Sequence, residues 1–111
     1  MSSTLSSTLA SDPILTRVRR SLRTLYGARL ERAVLYGSQA RGDAGPESDY
    51  DIAVFLHDLT DRWAEMDRLA DLGTDLLYDT GAVVHAMAFP AGAWQARTPL
   101  MGEIRRDGIE L

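Results

Sequence analysis

The chain has 111 residues, 45% hydrophobic and 25% charged, with a formal charge of −4. That is enough for one small domain with an adequate core and leaves no room for a second, substrate-binding domain. The acidic balance argues against a general nucleic-acid binder, because affinity for phosphate backbones needs excess cations. There is no cysteine, which excludes a disulfide framework and a thiolate metal site, and all 12 basic residues are arginine, which excludes a lysine nucleophile.

Residues 1–10 lack the basic start and continuous apolar stretch of a signal peptide, and are expected to be a frayed tail ahead of a domain over residues 11–111. No apolar run approaches membrane-spanning length, so a cytoplasmic protein without a membrane partner is expected. Ser11-Asp12-Pro13 reads as a helix start, with Asp12 as cap and Pro13 at the first helical position. Ile14, Leu15, Val18, Leu22, Leu25 and Tyr26 then recur on one face, and Gly27 provides the stop. This segment and its sequel hold Arg17, Arg19, Arg20, Arg23, Arg29 and Arg32, a pattern that suits a solvated helix face, or contact with an anionic ligand or an acidic partner surface.

A first strand is expected over Ala33 to Tyr36, followed by a Gly37-Ser38 turn, a short helix through Ala40 and Arg41, and a return loop at Gly42, Gly45 and Pro46. The second strand should run from Tyr50 to Leu56. Its alternation sets Asp49, Asp51 and Ala53 against Tyr50, Ile52 and Val54, so both carboxylates project from one side. Thr60-Asp61 can cap a longer helix with Trp63, Met66, Leu69, Ala70, Leu76 and Leu77 as its apolar stripe and Gly73 as a weak point of about 1 kcal/mol. Ala82 to Phe89 reads as a third strand closed by Pro90, and Ala91 to Arg97 as a loop or helical turn carrying Trp94. Thr98-Pro99 starts a last helix to about Asp107. The order gives a small α/β (α+β) layer, a mixed sheet of three or more strands flanked by helices.

The chemistry concentrates in Gly37-Ser38, ten residues, Asp49-Tyr50-Asp51. Glycine allows a sharp turn, and Ser38 then begins a helix whose free N–H groups, with the hydroxyl, attract the phosphates of a nucleotide. Two carboxylates two residues apart on a strand present hard oxygens that favour Mg²⁺ beside phosphate. Either piece alone is weak; together, in a strand-turn-helix-strand context, they point to metal-assisted phosphoryl chemistry. Arg41 is placed either to reach a phosphate or to make a surface ion pair.

At these residues the chain resembles the minimal nucleotidyltransferase family of the polymerase-β-like superfamily, whose signature is Gly-Ser, ten residues, Asp-X-Asp. The resemblance is specific over residues 35 to 56 and loose elsewhere. It implies the nucleotidyltransferase fold and Mg²⁺-dependent transfer of AMP from ATP. Gly37 and Ser38, with Arg41 beside them, would hold the triphosphate, and Asp49 and Asp51 the metal. The superfamily places a third carboxylate in the next core strand, where this chain has His85. A neutral imidazole there can act as base or ligand but lacks charge for a second Mg²⁺, and a lone histidine in an apolar strand can equally be a core residue. Asp75 and Asp79 are alternative carboxylates, though their places on the long helix suit surface charges.

With no acceptor-binding domain, the resemblance narrows to antitoxins that pair with an all-helical HEPN ribonuclease toxin. Such an antitoxin forms a hetero-oligomer with its toxin and silences it by adding AMP to a tyrosine. Two alternatives remain beside this protein adenylyltransferase: an antitoxin that only occludes its toxin, and a small-molecule nucleotidyltransferase of the aminoglycoside-modifying type.

Overall fold

The computed structural model describes residues 12–43, 45 and 49–111; the expected tail and most of the return loop around Pro46 lie outside them. Asp12 opens the first helix, α1 (Pro13–Tyr26), its Oδ1 accepting from the Ile14 amide at 2.8 Å, and Gly27 closes it at a positive φ. A 3-10 turn at Gly27–Arg29 leads into β1 (Leu30–Tyr36), which starts three residues before the expected strand. The short α2 (Ser38–Arg41) and β2 (Tyr50–Leu56) follow where expected. Next come α3 (Arg62–Thr80), capped by Asp61, then β3 (Val84–Pro90), a 3-10 turn at Ala93–Gln95, α4 (Pro99–Asp107) and β4 (Ile109–Glu110). No helix among the described residues is long and apolar enough to cross a membrane.

The four strands lie in the order β3-β2-β1-β4. β1 runs antiparallel to β2 and β4, while β2 and β3 are parallel, joined through α3 as parallel neighbours require. The sheet is therefore mixed, with β4 as a fourth strand whose two residues are too few to carry a periodicity. It pairs Ile109 with Leu35 and Glu110 with Val34.

Strand alternation sorts the core onto two faces. On one, Leu35, Ile52, Val54, Val84 and Ala88 are covered by α1 through Leu15, Val18 and Leu22, and by α3 through Leu69, Leu72 and Leu76. On the other, Val34, Ala53, Phe55 and Phe89 are covered by Met101 and Ile104 of α4, with Trp94 alongside. This second cover meets β2 at Ala53 and Phe55, leaving the end at Asp51 less buried.

The buried stripe of α3 differs from the expected one. Trp63 is 81% exposed and Leu77 is also exposed, whereas Glu65 is only 5% exposed and lines up with Leu69, Leu72 and Leu76. A buried carboxylate needs partners, and Arg29 meets Glu65 at 3.0 Å and Arg68 at 3.2 Å, so the group is satisfied where it sits. Leu25 is also exposed, at the edge of the α1 stripe. Gly73 has a packing role as well. A Cβ there would stand 2.9 Å from the Val84 carbonyl oxygen, so glycine lets α3 lie against the outer edge of β3. The Met66 sulfur covers the same edge, 3.5 Å from the Ala88 amide, which shields backbone groups that would otherwise invite another strand.

Burial alone pushes the Glu65 carboxyl up, but the Arg29 and Tyr26 side chains and the Arg68 charge outweigh it and hold the group below its ordinary 4.5. Burial and Glu65 in turn push the Tyr26 phenol up to about 12. A depressed carboxyl contributes stability that is present above its unfolded value and lost as pH falls through the folded one. Glu65→Gln should therefore cost about 1–3 kcal/mol at neutral pH. In urea titrations across pH, the gap from wild type should close below about pH 4.

Candidate active site

Gly37 is buried, with φ 76° and ψ −158°, in a region of backbone space that other residues scarcely enter. Its carbonyl accepts from the Ala40 and Arg41 amides, both at 3.1 Å, which turns the chain directly into α2. Tyr36 stands opposite Asp51 in the β1–β2 ladder, so the residue after it must pass over that carboxylate. A Cβ on Gly37 would come within 2.7 Å of Asp51 Oδ2. Conformation and close approach thus demand glycine independently, and together they bring the start of α2, at Ser38, beside Asp51.

On the other side of Asp51, His85 is its register partner in β3. The imidazole does not belong to the core: its side chain is 60% exposed, and Nε2 lies 2.9 Å from Asp49 Oδ2. Gly37, Asp49, Asp51 and His85 therefore converge at one end of the sheet face that α4 leaves partly uncovered. Burial pushes the Asp51 carboxyl above its ordinary value, Asp49 and Glu103 add to the rise, and His85 opposes it.

Arg41 ends α2 in two ion pairs, to Asp43 at 3.2 Å and to Glu103 at 3.3 Å. The surface pairing weighed for it is thus present, and it holds a cation at the end of the turn. Glu103, on α4, was not singled out in the sequence, yet its charge acts on Asp51 and also, after burial and Asp51, on the Tyr36 phenol, which is raised. Nothing in an isolated acidic residue 52 positions beyond Asp51 signals this proximity. Asp79 instead pairs with Arg17 at 3.0 Å, and Asp75 lines a recess of about 710 Å³ between α1 and α3; neither joins the motif. His57 is exposed and lies outside the site.

The donor chemistry suits a hard cation. Asp49 and Asp51 offer carboxylate oxygens, and among the described residues no three His, Cys, Asp or Glu side chains form a fuller set. Mg²⁺ is commonly held by one or two carboxylates plus substrate phosphates, so a pair beside an anion-attracting turn fits it. The arrangement is suited to holding a phosphate chain against a divalent cation.

A fold of this topology with this turn and carboxylate pair defines a nucleotidyltransferase. The chain belongs to the nucleotidyltransferase domain family, whose model matches residues 15–96. It is 37% identical over 67 residues to a Methanocaldococcus jannaschii protein named "Putative protein adenylyltransferase MJ0604", a match that spans 60% of this chain and 61% of that protein. Among solved structures it resembles a chain of a mutant form of the toxin-antitoxin MntA-HpeT, with a TM-score of 0.62 and 25% identity over 87% of this chain and 70% of that one. It also shares its fold with a chain of a toxin-antitoxin crystal structure with AMP-PNP, with a TM-score of 0.59 and 21% identity over 86% and 69% of the two chains.

Gly37→Ala should lower stability by about 1–3 kcal/mol through its φ alone. It should also displace Asp51, so nucleotide binding measured by calorimetry with Mg²⁺ present should fall well beyond what the loss of folded protein explains.

Proposed function

We propose that this nucleotidyltransferase is an antitoxin that transfers AMP from ATP, with Mg²⁺, to a tyrosine of a HEPN ribonuclease toxin. The convergence of Gly37, Ser38, Asp49 and Asp51 at one sheet end carries the reading, and the adenylyltransferase name of the relative and the toxin-antitoxin neighbours support it. In this reading the turn amides and the Ser38 hydroxyl bind the triphosphate, and Arg41 exchanges a carboxylate partner for a phosphate oxygen. Asp49 and Asp51 would hold Mg²⁺, which when bound neutralises charge developing on the phosphates.

Asp49 also contacts His85, at 2.9 Å. With Nε2–H directed to the carboxylate, Nδ1 is left as the acceptor for the tyrosine proton. The phenol oxygen bonds to the α-phosphorus, the bond to pyrophosphate breaks, and the proton passes to the imidazole. The acceptor comes from the partner, which makes the working unit a hetero-oligomer.

Purified chain, labelled ATP, Mg²⁺ and the helical partner should yield labelled partner; transfer should fall at least about 100-fold in Asp49→Asn and Asp51→Asn. Asp51→Asn should melt no lower than wild type at neutral pH. A carboxyl raised in the fold loses its stability contribution as pH climbs through its folded value, so the ionised form is the unfavourable one. Absence of label with wild type sinks the enzymatic reading.

His85 beside Asp49 brings no negative charge for a second Mg²⁺, and that favours a second reading, an antitoxin that neutralises by occlusion. Asp49→Asn would then leave growth rescue unchanged in cells expressing the toxin.

A further inference from the structure

Between the two carboxylates stands Tyr50, whose ring belongs to the opposite face of the sheet and packs beside the core beneath α1 and α3. It is fixed at two points. Its amide donates to the Val83 carbonyl at 2.9 Å, and its hydroxyl donates to Asp12 Oδ2 at 2.8 Å. Asp12 is the cap of α1, and its other oxygen is already engaged by the Ile14 amide. One aspartate thus joins the start of a 14-residue helix to the start of β2, 38 positions away. Burial, with Asp12 adding to it, pushes the Tyr50 phenol up to about 12, so the hydroxyl keeps its proton and remains a donor.

We propose that Tyr50 is a positioning residue for the Asp49–Asp51 pair, and that the Asp12 cap of α1 is its anchor. Asp49 lies one residue ahead of β2, where no ladder bond of its own restrains it. Its His85 contact is largely exposed, and contacts of that kind constrain little. The phenol bond fixes the residue between the carboxylates from behind, through a rigid ring lying on the face opposite the site. It therefore sets where both carboxylates point on the site face.

This inference rests on reading Asp49 and Asp51 as cation ligands. The test uses the whole chain with Mn²⁺ as a paramagnetic substitute for Mg²⁺, titrated by electron paramagnetic resonance in the presence of AMP-PNP. Tyr50→Phe should weaken Mn²⁺ binding about three- to tenfold, the range that one lost hydrogen bond supports. Asp12→Ser, which keeps a capping oxygen but is too short for the phenol, should weaken it equally. The double variant should be no worse than either single one, because both remove the same tether. Asp12→Asn should restore near-wild-type binding, since its amide can cap with oxygen and donate to the phenol oxygen. Metal-free AMP-PNP affinity should change less than about twofold in all of them, since the phosphate-binding turn lies on a different strand.

Unchanged Mn²⁺ binding in Tyr50→Phe overturns the proposal. So does a parallel loss of Mn²⁺ binding, metal-free nucleotide affinity and melting temperature, which marks a merely structural bond. A wild-type chain that takes up no Mn²⁺ with AMP-PNP overturns the cation-site reading itself, and the positioning role with it.

Discussion

The approach of the Asp51 carboxylate to the Cα of Gly37 is the contact from which the site is built. It follows from register: with Tyr36 opposite Asp51, the chain leaving β1 has to turn across that carboxylate. Register is in turn held by burial. Ile52 and Val54 belong under α1 and α3, and Ala53 and Phe55 under α4, so a slip of one residue would drive Asp51 into an apolar layer. The same alternation that packs the core thus delivers the carboxylate to the turn.

Cover on the two faces is unequal, and the inequality makes room for chemistry. α1 and α3 bury one face broadly, while α4 protects Ala53 and Phe55 but leaves the end of the sheet near Asp51 and His85 accessible. Asp51 sits at that margin, half-buried and under the charges of Asp49 and Glu103, a position a folding optimum would avoid. Arg41 between Asp43 and Glu103 offsets part of the repulsion. Such a poised group is what a cation beside a phosphate chain would relieve.

Stability is concentrated elsewhere. Glu65, enclosed by Arg29, Arg68 and Tyr26, joins α3 to the end of α1 and the turn before β1. Gly73 and Met66 lay α3 along the β3 edge. The helices that hold the sheet rigid lie behind it, so the site face carries unfavourable charge without giving up the fold. Tyr50 is the point where the two sides meet, with its neighbours on the site face and its hydroxyl on the cap of α1.

Local physics was legible in the residues alone. Capping aspartates, an N-terminal proline, glycines at positive φ and two-residue alternation located α1, α2, β2, α3 and α4, and the Gly-Ser and Asp-X-Asp elements marked the candidate site, because each depends on neighbours a few positions away. Tertiary structure decided the rest. Whether α3 buries Trp63 or Glu65 depends on Arg29 reaching across from another element. Whether His85 belongs to the core or to Asp49 depends on how far α4 covers β3, and Glu103 and Asp12 become relevant only once distant segments pack together. Periodicity shows which residues share a face; what covers that face, and which charges meet there, is set by packing between elements far apart in the chain.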